Sequence, residues 1–293
     1  MNEILPLSAR QIETVVLAAL DEDAPFGDLT SQLLIPEAAQ ANASLAAREE
    51  GVLSGSKVFD AAMHLTDPSI RVEWEYSDGE RFPAGAQLAL VSGPARSVLT
   101  AERVGLNLLQ RMSGVASLTA QYVAAVAGSK ARVADTRKTT PGLRALERFA
   151  VRCGGGHNHR YSLSDAVMAK DNHLAVLSGG DPKKLTEALS SLRSRVSHTT
   201  HIEVEVDRIE QIEAVLAAGV DTIMLDNFGL QELREGVALI AGRALVEASG
   251  NVRLGTIAEI AGTGVDIISV GALTHSVRAL DLGLDVQLSS ELG

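Results

Sequence analysis

Residues 135–173 hold Arg137, Lys138, Arg144, Arg148, Arg152, Arg160 and Lys170, together with His157, His159 and His173. Against these seven Arg and Lys stand four acids, Asp135, Glu147, Asp165 and Asp171, a local excess of three positive charges in a chain of formal net charge -11. Positive charge gathered locally inside an acidic chain suits a small polyanion such as a phosphate or carboxylate, because a long one would be repelled by the surrounding surface. Nucleic acid is disfavoured as a partner on that ground. Guanidinium forks bind carboxylates bidentately, so Arg137, Lys138, His159 and Arg160 read as a set of donors for such groups. His157 and His159 lie two apart and would chelate zinc only on an extended segment; zinc wants at least three protein ligands, and His173 belongs to another strand end. Lys170 offers either an anion contact or a Schiff base, and anion binding accounts for the surrounding cations more simply.

Carboxylates supply a second chemistry. In Ile202-Glu-Val-Glu-Val, Glu203 and Glu205 share one strand face because side chains alternate, and the next strand ends in Asp226. Magnesium takes one or two carboxylates plus waters and substrate oxygens, so Glu205 and Asp226 suffice to hold it beside a phosphorylated ligand. Glu203 is better read as a partner for Arg or Lys in the interior. Ala248-Ser-Gly-Asn and Ser269-Val-Gly-Ala follow the last two strands and precede helical patterns, which places Ser249, Gly250, Asn251 and Gly271 beside free backbone amides, a setting that binds phosphate.

Positioning these groups requires particular elements. Ser8 opens a helical pattern to about Asp23, with Ile12, Val15, Val16, Ala19 and Leu20 at helical spacing and Gln11 completing a capping box. From Ala41 to about Val91 short β-like runs are broken by glycine and proline, as an antiparallel α+β unit requires. A long helix follows over 97–127, with a break expected at Ser113-Gly114. From Ala131 onward six strand-like runs alternate with helices, and polar residues recur at their C-terminal ends. That rhythm predicts parallel strands closing into a β/α barrel, whose active sites lie at those ends. An open doubly wound sheet would alternate likewise, but no Gly-x-Gly-x-x-Gly follows the first strand.

The whole chain is consistent with this organisation: 293 residues, 46% hydrophobic and 22% charged, provide for a substantial core. The start, Met-Asn-Glu-Ile-Leu-Pro, lacks a basic segment followed by an apolar stretch, and no window approaches the roughly 18 apolar residues of a membrane helix. A cytoplasmic protein without membrane partners is expected. Cys153 is the single cysteine, which excludes an internal disulfide; it reads as a small buried apolar side chain.

Taken together, Asp135-Thr-Arg-Lys-Thr-Thr-Pro-Gly-Leu-Arg, Gly154-Gly-Gly-His-Asn-His-Arg, Lys170-Asp-Asn-His, Glu203-Val-Glu-Val, Met224-Leu-Asp-Asn and Val270-Gly-Ala-Leu-Thr-His resemble the quinolinate phosphoribosyltransferase family. Glu22-Asp-x-x-x-Gly-Asp, Glu102-Arg-x-x-x-Asn-x-x-Gln-Arg-x-Ser-Gly and Asp281 extend the likeness over nearly the whole chain. The resemblance implies an N-terminal α/β sandwich over 1–113, an incomplete parallel β/α barrel of the type II phosphoribosyltransferase kind over 114–275, and a tail, 276–293, returning to the first domain. It implies transfer of phosphoribosyl from phosphoribosyl pyrophosphate to quinolinate with decarboxylation, in de novo NAD biosynthesis. Arg137, His159, Arg160 and Lys170 would clamp the quinolinate carboxylates, and Lys138 would face substrate and pyrophosphate. Arg103 would enter from a second subunit of a homodimer. Lys138, Lys170, Glu205 and Asp226 would form the catalytic set, the last two with Mg2+ and ribose. Ser249, Gly250, Asn251, Gly271 and His275 would surround the 5′-phosphate, although Asn251 stands where the family commonly has glycine. The alternatives are a related protein of molybdenum metabolism, against which the complete Asn158-His159-Arg160 and Lys170-Asp171-Asn172-His173 runs argue, and a silent ligand-binding paralogue.

Overall fold

The computed structural model describes residues 4–179 and 181–288. Two compact units divide the chain: one comprises the residues up to Ala120, Thr139–Gly155 and those from Thr274 on, the other Gln121–Lys138 and Gly156–Leu273. The segment 139–155, flanked in sequence by residues of the second unit, thus packs with the first.

In the first unit Ser8 caps the helix Ala9–Asp23 as its type and spacing require, with Gln11 returning a bond to the Ser8 amide. Five strands follow: β1 (Gln40–Ala47), β2 (Gly51–Val52), β3 (Arg71–Trp74), β4 (Arg81–Phe82) and β5 (Gln87–Pro94). Small and apolar residues alternate along β1, so Ala41, Ala43, Leu45 and Ala47 are buried on one face, where they share a core with Phe59 and Met63 of the helix Ser56–Thr66. Much later in the chain, Leu282–Leu288 lies antiparallel beside β1 with Leu45 opposite Leu284, and the antiparallel sheet runs from this last strand through β1 and β5 to β3. Residues 289–293 of the tail lie outside the described residues.

The helix Ala95–Ala125 is continuous, without the break expected at Ser113-Gly114. Glycine serves there for close approach: a Cβ on Gly114 would stand 2.3 Å from the Arg278 carbonyl oxygen. Ser113 is equally absorbed by packing, its hydroxyl accepting from the Ser54 amide. The same helix carries Arg111 to the wholly buried Glu147, Nη2 lying 2.7 Å from Oε1. Glu147 accepts the Thr140 amide and hydroxyl as well, and Arg111 donates to the carbonyls of Val277 and Thr274.

Cys153 is buried against Val52, Ala116 and Ala120, and burial pushes its thiol up to about 12. Since the thiolate is the nucleophile, Ellman's reagent at pH 8 should leave the native protein unlabelled and label one thiol after denaturation. Rapid native labelling would contradict this burial.

The second unit holds six parallel strands: β6 (Arg132–Ala134), β7 (Val167–Ala169), β8 (Ile202–Val206), β9 (Thr222–Asp226), β10 (Leu245–Ser249) and β11 (Ile267–Ser269). Their spatial order is β6-β11-β10-β9-β8-β7. Burial is nearly continuous along β8 and β9, as parallel strands covered on both faces require. One cavity is lined by residues that follow both edge strands as well as by the four strands between, so the sheet curls round it. Because β6 and β7 do not pair with each other, the barrel is incomplete. Among the described residues no helix is long and apolar enough to cross a membrane.

Candidate active site

Side chains alternate along the barrel strands, and the inward set forms two layers. Towards the C-terminal strand ends lie Met168, Glu205, Met224, Asp226, Ser249 and Ser269, which with the loops line a cavity of about 510 Å³. Deeper lie Glu203, Thr222, Leu245, Glu247 and Ile267, lining a second cavity of about 490 Å³. His159 and Arg160 line both.

Of the residues singled out in the sequence, Arg137, Lys138, His159, Arg160, Lys170, Glu205, Asp226, Ser249, Gly250 and Asn251 converge on the upper cavity. Gly271 follows β11 but is not among its lining residues. Arg103 and His275 belong to the first unit, where both are exposed.

The charges are ordered. Burial lowers the pKa of the Arg160 guanidinium, and the adjacent Arg137 lowers it further. Two guanidiniums held that close favour an anion between them. Lys170 Nζ lies 2.9 Å from Glu205 Oε2, a cation–carboxylate pair better suited to meeting anions than to a free amine nucleophile. His173 sits in the helix Asp171–Ser178, where its Nδ1 accepts the Lys170 amide 3.1 Å away.

The phosphate-loop expectation changes in detail. After β10 the next helix begins only at Ile257, so the amides at 250 and 251 belong to a loop and not to a helix N-terminus. Gly250 and Asn251 are both left-handed, with φ of 95° and 51°. A side chain at 250 would also strike Asn227, whose Oδ1 lies 2.2 Å from where a Cβ would be. Asn251 tolerates its conformation as Asn commonly does, and its side-chain Nδ2 donates to Asn227 Oδ1 at 3.1 Å. Asn227 in turn donates to Asp226 Oδ2 at 2.7 Å.

The sequence setting suggested an Arg or Lys partner for Glu203, but among the described residues its ion-pair partner is His159, whose Nε2 lies 3.1 Å from Glu203 Oε2; the same Nε2 lies 3.5 Å from Glu247 Oε1. Glu247 also accepts the Ser269 hydroxyl. Burial alone would lower the His159 pKa, but the bonds and charges of the two carboxylates outweigh it and raise it to about 10. Burial pushes the Glu203 carboxyl up as well. His159 Nδ1 accepts a hydrogen bond from the Arg160 amide at 2.7 Å, a contact that favours the neutral ring and opposes the rise at His159. These three side chains are the group of three metal-ligating residues found among the described residues, and His157 is not one of them. Their hydrogen bonds to one another already explain their proximity.

Sequence inspection passes over Glu247, and it names Asp135 and Ser269 only as members of their motifs. Asp135 is wholly buried and grips the next segment, accepting from the His159 amide at 2.7 Å and from Asn158 Nδ2 at 2.6 Å. A lone acid between apolar strand residues, as in Val246-Glu-Ala, was the available signal for Glu247.

The fold and site define a class: an α/β chain in two units whose incomplete barrel holds a cation-lined, carboxylate-bearing cavity at its strand C-termini. Residues 28–113 match the model of the quinolinate phosphoribosyl transferase N-terminal domain, and residues 115–285 that of the C-terminal domain. The nicotinate-nucleotide pyrophosphorylase (carboxylating) of Mycobacterium leprae is 43% identical over 92% of this chain and 94% of its own length. The chloroplastic protein of that name from Arabidopsis thaliana is 41% identical over 96% and 85% respectively. The solved nicotinate-nucleotide pyrophosphorylase from Francisella tularensis superposes with a TM-score of 0.90 at 36% identity, covering 98% of this chain and 100% of that one. This chain belongs to the quinolinate phosphoribosyltransferase family.

Proposed function

We propose that the protein transfers phosphoribosyl from phosphoribosyl pyrophosphate to the nitrogen of quinolinate with loss of the 2-carboxylate, giving nicotinate mononucleotide, pyrophosphate and carbon dioxide for de novo NAD biosynthesis. The observation that carries this reading is the convergence of Arg137, Lys138, Arg160 and Lys170 with Glu205 and Asp226 on one cavity of about 510 Å³. Substitution at the anomeric carbon passes through an oxocarbenium-like state and needs no protein nucleophile. What it needs is two anions held in line and countercharge for the departing pyrophosphate. Arg137, Arg160 and Lys170 hold the quinolinate carboxylates, with His159 in the same wall, and Lys138 faces the pyrophosphate. The ring nitrogen becomes cationic as its bond to the anomeric carbon forms and the pyrophosphate bond breaks. That charge then stabilises the carbanion left at C2 when carbon dioxide departs, and a proton replaces it.

Glu205 and Asp226, hard oxygen donors on adjacent strands, fit Mg2+, which would supply charge neutralisation at the pyrophosphate. Their other task is to hold the ribose hydroxyls. The loop Ser249-Gly250-Asn251 receives the 5′-phosphate, with Gly271 and His275 completing that assignment. Replacing Asn251 by glycine removes one exposed hydrogen bond, worth about 1 kcal/mol, so the KM for phosphoribosyl pyrophosphate should move by less than about fivefold. A much larger rise would make Asn251 a direct phosphate ligand.

A homodimer with Arg103 donated across it is part of the proposal. It is supported by an apolar face that monomers rarely leave bare, with Phe26 96%, Leu29 69%, Leu33 73% and Leu34 74% exposed. Sedimentation at micromolar concentration tests it. A cytoplasmic location accords with the lone, buried thiol.

Incubation with quinolinate, phosphoribosyl pyrophosphate and Mg2+, with nicotinate in parallel, tests the activity. Nicotinate mononucleotide and carbon dioxide from quinolinate alone are expected. Product from nicotinate alone would move the chain to the sister activity, and quinolinate binding without product would mark the silent paralogue.

A further inference from the structure

The two carboxylates at the strand ends, Glu205 and Asp226, are held by different kinds of partner. Glu205 meets a cation, Lys170 Nζ, at 2.9 Å, so its charge is offset. Asp226 meets a neutral amide: Asn227 Nδ2 donates to Asp226 Oδ2 at 2.7 Å, which orients the carboxylate without offsetting its charge. Gripped by one oxygen, it can offer the other. The same carboxamide serves a second neighbour. Its Oδ1 accepts from Asn251 Nδ2 at 3.1 Å, and the Asn227 main-chain amide donates to the Ser249 carbonyl at 2.9 Å. Asn227 is left-handed, with φ of 59°, a conformation Asn adopts more readily than most residues. Its side chain lies so close to the loop that a Cβ on Gly250 would stand 2.2 Å from Oδ1. One side chain in the wall of the upper cavity thus touches both Asp226 and the loop 249–251.

We infer that Asn227 is a positioning residue for phosphoribosyl pyrophosphate: it aims the Asp226 carboxylate at Mg2+ and the ribose while bracing the loop for the 5′-phosphate, and so sets the spacing between two ends of one ligand. The inference rests on the reading of Asp226 and of that loop given above. A primary amide suits the place because it carries a donor and an acceptor on one flat group. A charged residue of either sign would fail there. An acid would repel Asp226, and a lysine would cancel the charge that a hard cation requires.

The test is calorimetric titration of the full-length protein with phosphoribosyl pyrophosphate and Mg2+, and separately with quinolinate. The variants are Asn227→Gly, Asn227→Asp, Asp226→Ala, and Asp226→Ala with Asn227→Gly. Glycine accepts the left-handed backbone and removes only the side chain, so Asn227→Gly isolates the two hydrogen bonds. It should weaken phosphoribosyl pyrophosphate about tenfold and quinolinate less than about twofold. Asn227→Asp keeps the acceptor for Asn251 but loses the donor to Asp226, and should lose at least as much. In steady-state kinetics the KM for phosphoribosyl pyrophosphate and the Mg2+ concentration giving half the maximal rate should both rise, while the KM for quinolinate stays. Because Asn227 acts largely through Asp226, Asn227→Gly should cost less than about threefold more when added to Asp226→Ala. An unchanged affinity for phosphoribosyl pyrophosphate, equal losses for the two ligands, or losses that multiply in full would each overturn the inference. Should Asn227→Gly not fold, Asn227→Asp carries the comparison. Without any ligand, amide exchange at residues 250 and 251 should quicken about tenfold in Asn227→Gly, and an unchanged rate would overturn the brace. Failure of the wild-type protein to bind phosphoribosyl pyrophosphate would count against the functional reading and leave amide exchange to decide this one.

Discussion

Arg137→Ala should weaken quinolinate binding about thirtyfold and leave phosphoribosyl pyrophosphate binding within about threefold. Arg137 stands just beyond β6 on the wall of the upper cavity, close enough to Arg160 to lower its pKa. A bidentate, charge-assisted contact to a carboxylate is worth about 2 kcal/mol, which is roughly a thirtyfold change in Kd. One effect works the other way: removing Arg137 also removes its repulsion of Arg160, which then becomes the stronger partner for the remaining carboxylate. A loss far above a hundredfold is therefore not expected. Calorimetric titration with each ligand separately provides the check, and equal losses for the two would sink the assignment of Arg137 to quinolinate.

The second large effect concerns stability in the first unit. Glu147→Ala should lower the unfolding free energy by about 3 kcal/mol or more, because it strands the Arg111 guanidinium and leaves the Thr140 amide without its acceptor. Glu147 is 1% exposed and Arg111 25%, so water cannot fully replace the lost carboxylate. Trp74, the single tryptophan, lies in the same unit, edge-on to Phe59 with ring centroids 5.7 Å apart, and its fluorescence in a urea titration reports this change. Glu147→Gln, which can still accept from Arg111 and Thr140, should cost less than the alanine variant. A shift below about 0.5 kcal/mol for Glu147→Ala would show that the network is screened as surface pairs are.

Much of this protein is legible along the chain. Ser8 and Gln11 announce the first helix because a capping box is local chemistry. The six barrel strands fall within a residue or two of the runs that alternate with helices, since parallel strands buried on both faces must be apolar nearly throughout. Arg137, Lys170, Glu205 and Asp226 stand out because charge is costly at strand ends unless it has work there. Gly114 misleads, because a glycine needed for close approach to the Arg278 carbonyl looks the same in sequence as one that ends a helix.

Composition and periodicity by themselves determined the fold class, the strands and the gathering of cations at strand ends, because each depends on neighbours within a few residues. Which buried acid meets which cation was decided only by tertiary structure. The period of two in β8 and β10 puts Glu203 and Glu247 on inward faces, but that they share one imidazole follows from the strand order and from where the fold sets His159. The same holds for Glu147, one of four acids set among seven cations in residues 135–173, whose partner Arg111 comes from the long helix preceding the barrel. Pairings of this kind arise from long-range packing between elements far apart in sequence, and no local pattern encodes them.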